Sequence, residues 1–282
     1  MQISLITILH IAKNRKIRGK KPTIIVIDPR HSKTANMADI FVPIKPRTDL
    51  ALINGLCHII WEQGWADEEF MREKATGYKE FVKHIQKYPP QEVANITGID
   101  VKELYELARI YAGADRALSA WTMGVNQSAL GTDTVSAICN LALMTGNLAK
   151  EGASPFSITG QCNAMGTRES GFTSSIPGYR NFASSHEREE YATIINVPTE
   201  LVPKERGYAY PQIIEAIEKG EIKALWVVAT NLLVSYPDQP RLREALKKLE
   251  LLVVQDSFIS DTALKADVVF AAATWSEKDG TY

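Results

Sequence analysis

The sequence predicts an α/β fold in which two parallel-sheet units carry helices on both faces and are joined by a helical segment and a long ordered loop region. Residues 23–27 and 224–228 are runs of mostly aliphatic side chains without alternation, which is typical of strands buried on both faces of a parallel sheet. The order strand–helix–strand occurs twice, and such connections pack helices against parallel strands. Beyond that order, no sequence repeat is evident.

The first part of the chain is predicted to begin with a helix over residues 4–18, whose basic C-terminal end suits the helix dipole. Acidic first turns mark helix starts within residues 66–112, where Asp100 is expected to be an N-cap. The other elements predicted here are strands at 23–27, 40–42 and 118–121, a helix at 49–64, a loop at 123–127, and a helix at 131–145 closed by Gly146.

Residues 150–210 contain few periodic segments, and a compact domain rarely holds so long an irregular stretch without a function. We therefore expect an ordered loop region packed on the protein. Helices at 210–219 and 240–249 and strands at 224–228, 251–254 and 268–270 follow. The predicted domains are a first α/β cofactor-binding unit with a helical insertion at 1–150, the loop region at 151–210, and a second Rossmann-like α/β unit at 211–282.

The composition excludes several classes of partner. The 282 residues are 45% apolar and 23% charged, and the net charge is −1, so no bulk attraction to nucleic acid or to an anionic membrane is predicted. No stretch approaches the ~20 apolar residues of a membrane span. Three cysteines without a CxxC pair, and the lack of a secretory signal pattern, favour a reducing, cytoplasmic location.

Polar side chains follow the predicted strands, at the edge where open parallel sheets bind ligands. A carboxylate there accepts hydrogen bonds from a ribose or a guanine, an Arg pairs with phosphate, and an amide binds a heterocycle edge. We expect a nucleotide or extended polar cofactor lying across two sheets, although each residue alone is equally typical of a turn or cap. The candidates are Asp28, Arg30, Thr48, Asp49, Asn126, Gln127, Thr230, Asn231, Asp256 and Ser257.

Other kinds of site find no support in the sequence. Neither GxGxxG after the first strand nor GxxxxGK[ST] anywhere is present, which disfavours an ordinary NAD or P-loop site. The five histidines are scattered, and Cys139 lies in an apolar helical pattern, so no residue is predicted to bind a metal. No Ser-His-Asp set is legible.

Longer motifs carry a family resemblance over essentially the whole chain. VIDPRHSKTANMADIFVPIKPRTDLALINGL resembles the second α/β domain of the molybdopterin-guanine-dinucleotide oxidoreductases, the dimethyl sulfoxide reductase superfamily, and WTMGVNQSALGTDTVSAICNLALMTGNLAKEGASPFSITGQCNAMG is similar to the stretch that follows there. ALWVVATNLLVSYPD and LLVVQDSFISDTALKADVVFAAATWSEKDGTY resemble its third domain. GQCNAMGTRESGFTSSIPGYRNF most resembles the assimilatory nitrate reductase branch, ahead of formate dehydrogenases and periplasmic nitrate reductases.

The resemblance implies a role for each candidate position. In this superfamily two molybdopterin guanine dinucleotides hold one molybdenum. Arg168 falls near an Arg that approaches nitrate, though it could equally pair with Glu169, and Arg47 stands where the family has Gly. The implied roles are a first nucleotide site at Asp28, Arg30, Thr48 and Asp49, a loop near the metal at Met123, Gly124, Asn126 and Gln127, a cofactor loop at Gly160, Gln161 and Asn163, a second nucleotide site at Thr230, Asn231, Asp256 and Ser257, and catalytic roles for Arg168 and Met123.

The resemblance also implies an activity. The chain is expected to be the central part of a cytoplasmic molybdenum-dependent nitrate reductase of nitrate assimilation, with bis(molybdopterin guanine dinucleotide) and with a [4Fe–4S] cluster in an N-terminal part that this sequence lacks. Ferredoxin or an NADH-linked reductase subunit would supply electrons. Two alternatives stay open: a formate dehydrogenase of the same superfamily, and a catalytically silent nucleotide-binding scaffold. As a fragment, the chain alone is expected to be inactive.

Overall fold

The computed structural model describes residues 22–158, 160–161, 163–171 and 175–279. The helix predicted over residues 4–18 lies outside the described residues, as does Cys162. The chain divides after residue 162 into two compact units.

The first unit contains two short parallel sheets and a layer of helices. Ile25 of β1 lies opposite Ile40 of β2, and Leu118 of β3 lies opposite Ser154 of β4, so the predicted parallel pairing is confirmed. The strands are β1 (Ile25–Ile27), β2 (Ile40–Val42), β3 (Leu118–Trp121) and β4 (Ser154–Ser157), and the helices are α1 (Asp49–Glu62), α2 (Glu68–Lys74), α3 (Tyr78–Ile85), α4 (Pro90–Thr97), α5 (Val101–Ala112), α6 (Met123–Asn126) and α7 (Gly131–Met144).

Helix α1 is the centre of this unit, because α3, α4, α5 and α7 all pack against it. Cys57, Ile59 and Ile60 of α1 are fully buried among these helices. The predicted cap at Asp100 is confirmed, since its carboxylate accepts the backbone N–H of Lys102 over 2.8 Å. Burial of the helix layer supplies the main stabilisation of the strands beside it.

The second unit contains a three-stranded parallel sheet with the order β5-β6-β7. Helices α10 and α12 cover one face, where Val227, Leu252 and Val254 are buried. The opposite face exposes Trp226 and Phe270, so the prediction that β5 is buried on both faces is wrong. The same prediction is wrong for β1, where Ile27 is exposed and Ile25 and Val26 are only partly buried. The elements are α8 (Ala164–Glu169), α9 (Ser185–Ile195), α10 (Tyr210–Glu218), β5 (Ala224–Val228), α11 (Leu232–Ser235), α12 (Gln239–Leu246), β6 (Leu251–Asp256) and β7 (Val268–Ala271).

Several elements differ from the sequence predictions. The loop predicted at 123–127 contains the single helical turn α6, and the region predicted to be irregular contains β4, α8 and α9. Helix α9 begins with Ser184 as N-cap, whose hydroxyl accepts the N–H of Glu187 over 3.3 Å. Ser followed three residues later by Glu is a capping-box signature, so this start was legible in the sequence.

The structure also reveals a repeat that the sequence analysis missed. Residues 24–42, the first repeat, and residues 252–270, the second repeat, each fold as strand, 3₁₀ turn and parallel strand, and each counterpart lies 228 positions later. The registers correspond, because Ile25 pairs with Ile40 and Val253 pairs with Val268.

An aspartate closes each repeat with the same pair of hydrogen bonds. The carboxylate of Asp39 accepts the N–H of Ile24 over 2.8 Å, and that of Asp267 accepts the N–H of Leu252 over 2.7 Å. Each aspartate also donates its own N–H to the carbonyl of the same residue, over 2.8 and 2.9 Å. We call this arrangement the aspartate clamp; it fixes the start of one strand to the start of the next.

Candidate functional site

At the carboxyl edge of the first sheet, Asp28 and Arg30 form a tight turn. One carboxylate oxygen of the half-buried Asp28 accepts the N–H of Arg30 over 2.8 Å. Within the described residues the other oxygen has no hydrogen-bond donor, and the Arg30 guanidinium is exposed. The turn therefore presents a fixed acceptor beside an exposed cation, which suits a nucleotide.

The loop between β2 and α1 is fixed from both sides. The Thr48 hydroxyl donates to the Lys45 carbonyl over 2.7 Å, and the Lys45 N–H donates to the Thr97 carbonyl over 3.0 Å. Arg47 has a φ of 69°, the left-handed region that glycine adopts without strain. Arg47 thus has a backbone conformation typical of glycine, and Thr48 and Asp49 lie at the start of α1.

Asn126 joins the ends of β3 and β4. Its side-chain oxygen accepts the indole N–H of Trp121 over 3.0 Å, and its amide nitrogen donates to the Ser157 hydroxyl over 3.5 Å. The turn from α6 into α7 needs Gly131, because a Cβ there would lie 2.5 Å from the Asn126 carbonyl oxygen. Asn126 is thus held within the protein.

The neighbours of Asn126 in this segment are more open. Met123, Gly124 and Gln127 are exposed, and a Cβ on Gly124 would meet no atom within 4 Å. They lie in the α6 turn directly after β3, at the carboxyl edge of that strand. Gly160 and Gln161 are also exposed and lie in the first unit.

Asn163 and Arg168 belong to the second unit. Asn163 is the N-cap of α8, and its side chain accepts the N–H of Gly166 over 3.2 Å, so the amide predicted to read a cofactor edge has a local capping role. Arg168 lies exposed in the last turn of α8. It forms no ion pair with a described carboxylate, Glu169 included.

At the carboxyl edge of the second sheet, Asp256 repeats the position of Asp28. Its carboxylate accepts the N–H of Ser257 over 2.8 Å, and Thr230 is exposed at the end of β5. Asn231 instead turns toward Thr262, whose N–H and hydroxyl both donate to the Asn231 side-chain oxygen, over 3.2 and 2.8 Å. Sequence reasoning missed Thr262 and Asp261. The recurrence of Asp, Ser, Thr and Asp in the two repeats was a usable signal for Thr262, whereas Asp261 stands opposite Lys33 and had none.

The described cysteines offer no reactive group. Complete burial raises the pKa of the Cys57 thiol, and partial burial raises that of Cys139, so both stay protonated at neutral pH. Across the residues that the structure describes, no three His, Cys, Asp or Glu side chains gather where they could hold a metal ion. None of the described helices is both long and apolar enough to cross a membrane.

Comparison with known proteins settles the family. The profile of the family described as molybdopterin oxidoreductase matches residues 6–282. The chain belongs to the molybdopterin oxidoreductase family. Membership implies a molybdenum–pterin cofactor.

Relatives named for two different activities are similar to the chain. The F420-dependent formate dehydrogenase subunit alpha of Methanocaldococcus jannaschii is 39% identical over 95% of this chain and 39% of its own length. The nitrate reductase of Synechocystis sp. is 36% identical over 95% of this chain and 38% of its own length. The assimilatory nitrate reductase of Haloferax mediterranei is 37% identical over 92% of this chain and 35% of its own length.

A solved structure agrees with the family assignment. Acetylene hydratase from Pelobacter acetylenicus superposes with a TM-score of 0.66 at 25% identity and covers 89% of this chain and 36% of its own. The likeness supports the α/β class with parallel sheets. The chain therefore spans well under half the length of the relatives and the structure that it matches.

The chemistry of two sheet-edge carboxylates suits a group that carries N–H and hydroxyl donors. Asp28 and Asp256 each hold one carboxylate oxygen on a backbone N–H and leave the other without a described donor. A carboxylate in this position accepts the N–H groups of a guanine or the hydroxyls of a ribose. Both lie at carboxyl ends of parallel strands, where such folds bind nucleotides.

Proposed function

We propose that this chain is the cofactor-holding central part of a molybdenum-dependent nitrate reductase, and that each unit binds one guanine dinucleotide at the carboxyl edge of its strands. The observation that carries a small anionic substrate is that Arg168 is exposed and forms no ion pair within the described residues. The choice of nitrate rests on the resemblance of residues 160–182 to the assimilatory nitrate reductase branch. An arginine without a carboxylate partner attracts a small planar anion, because no other residue neutralises its charge or uses the N–H donors of its guanidinium group.

When bound, the cofactor would supply two-electron oxygen-atom transfer to convert nitrate to nitrite. The chain itself would hold and orient the cofactor and guide the anion. Asp28, Arg30, Thr48 and Asp49 are proposed to hold the first nucleotide, and Thr230, Asp256 and Ser257 the second. Met123, Gly124, Gln127, Gly160 and Gln161 are proposed to line the pterin side, with Asn126 and Asn163 supporting their loops.

The decisive assay uses a polypeptide of the full length of the relatives, in which this chain is the central part; we call it the long polypeptide. With a reduced electron donor, we expect it to convert nitrate to nitrite. With formate and an oxidised dye, we expect no reduction of the dye. The 282-residue chain alone should give neither reaction. Nitrate turnover by the 282-residue chain, or formate oxidation by the long polypeptide, would contradict the proposal.

Arg168→Ala tests the anion role in the long polypeptide. Loss of a charge that attracts the substrate should raise KM for nitrate about tenfold while kcat changes less. Arg243→Ala is the matched control, because Arg243 is also an exposed arginine in the last turn of a helix of the second unit. Equal effects of the two substitutions would remove Arg168 from the site.

Formate dehydrogenase is the second candidate, and the identity to the Methanocaldococcus jannaschii enzyme favours it. Formate is also a small planar anion, so Arg168 would serve either substrate.

The proposal has three further parts. They are a [4Fe–4S] cluster elsewhere in the polypeptide, a cytoplasmic location, and an electron donor such as ferredoxin or an NADH-linked subunit. Comparing the rate at which ferredoxin reduces the long polypeptide with the rate for NADH and its reductase subunit would distinguish the two donors.

A further inference from the structure

One side-chain network at the carboxyl edge of the second sheet joins two loops. Asn231 lies in the loop after β5, and Thr262 ends the loop after β6. The Thr262 hydroxyl donates to the Asn231 side-chain oxygen over 2.8 Å and accepts the Leu233 N–H over 3.1 Å. Thr262 is fully buried, so these bonds form away from water and are costly to leave unmade.

The outer side of the network ends on a carboxylate. The Asn231 amide nitrogen donates to Asp261 over 3.1 Å, and Asp261 is exposed. The amide therefore uses both its oxygen and its nitrogen inside the protein, and its orientation follows from two donors on one side and one acceptor on the other. A side chain so committed has little capacity left for a ligand.

We propose that Asn231 is a positioning residue, which locks the loop after β6 to the loop after β5 and so fixes Asp256 and Ser257 for the nucleotide. This inference rests on the proposed function of the same edge. It moves Asn231 from direct contact with the cofactor to support of the residues that make the contact. We call the Asn231, Asp261 and Thr262 network the amide lock.

The first repeat provides an internal control. Thr34 has the same position as Thr262 and nearly the same backbone, with φ and ψ of −67° and −43° against −69° and −42°. In the described part of the chain its hydroxyl bonds to no amide side chain. Within the described residues, the same threonine backbone thus forms with no amide side chain bonded to it, and the amide lock is seen in the second repeat.

Exchanging the side chains of Asn231 and Asp261 tests the amide lock. Asn231→Asp should place a second carboxylate against Asp261, and the repulsion should free the loop. Adding Asp261→Asn restores a donor and an acceptor with their places exchanged. We expect the single variant to increase amide hydrogen exchange at residues 257–262 about tenfold and the double variant to return it to the starting rate.

Titration of the 282-residue chain with GDP, followed by NMR, separates positioning from direct contact. We expect Asn231→Asp to weaken GDP binding about tenfold and the double variant to restore it. Restored exchange without restored binding would instead make Asn231 a ligand contact and overturn the proposal, as would unchanged exchange in the single variant. If the unaltered chain binds no GDP, the proposed nucleotide function fails, while the exchange measurements still decide whether the lock exists.

Discussion

The first and second repeats share a frame and differ in what holds their carboxyl edges. Both have the aspartate clamp, the 3₁₀ turn and the same strand register. Among the described residues, the second repeat alone has the amide lock, and the first alone is followed by a left-handed residue, Arg47. The hydrogen bonds at the amino ends are therefore shared by the two repeats, whereas those at the carboxyl ends differ.

The largest difference between the repeats is expected at their threonines. Thr262→Val removes the acceptor of the Leu233 N–H and one of the two donors to the Asn231 oxygen, which should cost about 3 kcal/mol. Thr34→Val should stay within about 0.5 kcal/mol, since no described network depends on that hydroxyl. Urea denaturation of both variants provides the measurement. Equal losses would show that the amide lock does not distinguish the repeats.

The aspartate clamps should be equivalent. Asp39→Ala and Asp267→Ala each remove a charged acceptor from a backbone N–H, so each should lower the free energy of unfolding by about 2 kcal/mol. Asparagine at either position retains an acceptor oxygen and should recover part of the loss. A large loss in one repeat alone, measured by the same denaturation, would contradict a shared frame.

A smaller effect is expected after β2, where the repeats diverge. Arg47→Gly relieves the left-handed conformation and should raise stability by about 1 kcal/mol. Arg47→Ala is the control, because it removes the same side chain but keeps the Cβ that causes the strain. Thermal unfolding should separate the two, and an equal gain from alanine would assign the effect to the side chain.

The smallest effect concerns the helices over the second sheet. Arg241 of α12 donates to Glu218 of α10 over 2.6 and 2.8 Å, and this hydrogen bonding lowers the pKa of Glu218. Because the folded pKa lies below the unfolded value of 4.5, the contribution is present above about pH 4.5 and is lost as pH falls through the folded pKa.

Glu218→Gln should therefore destabilise the protein near neutrality and flatten the loss of stability in acid. Arg241→Ala should flatten it similarly, because either change removes the pair. Melting temperatures measured from pH 3 to pH 7 test this, in about 0.1 M salt to limit screening. The difference in melting temperature between the Glu218→Gln variant and the unaltered chain should become smaller at low pH. A difference that stays constant would contradict the pairing.

Patterns and caps made much of the fold predictable. The aliphatic runs located β1 and β5, and Asp100 marked the start of α5. Strand β4 was missed because its sequence, SPFS, has little strand propensity and is recruited by pairing with β3. The repeat was hidden because the residues that recur, such as Asp28, Thr34 and Ala38, are scattered among positions that differ.

The site was predictable as an edge but not as a set of contacts. Asp28 and Asp256 follow their strands as expected and keep an oxygen available. Asn126 and Asn231 were predicted from the same logic to face the cofactor, yet their amides join neighbouring segments of the protein. Residue type gives the bonding capacity of an amide, whereas only the fold decides which partners consume it.

The buried thiol of Cys57 makes local opening of the first unit measurable. A thiol-modifying reagent must reach the sulfur and react with the thiolate, and burial of Cys57 in α1 both blocks access and keeps the thiol protonated. The rate at which Cys57 is labelled therefore reports how often the helices around α1 separate. Both described cysteines lie in this unit, so their labelling rates report its local opening and not that of the three-stranded sheet.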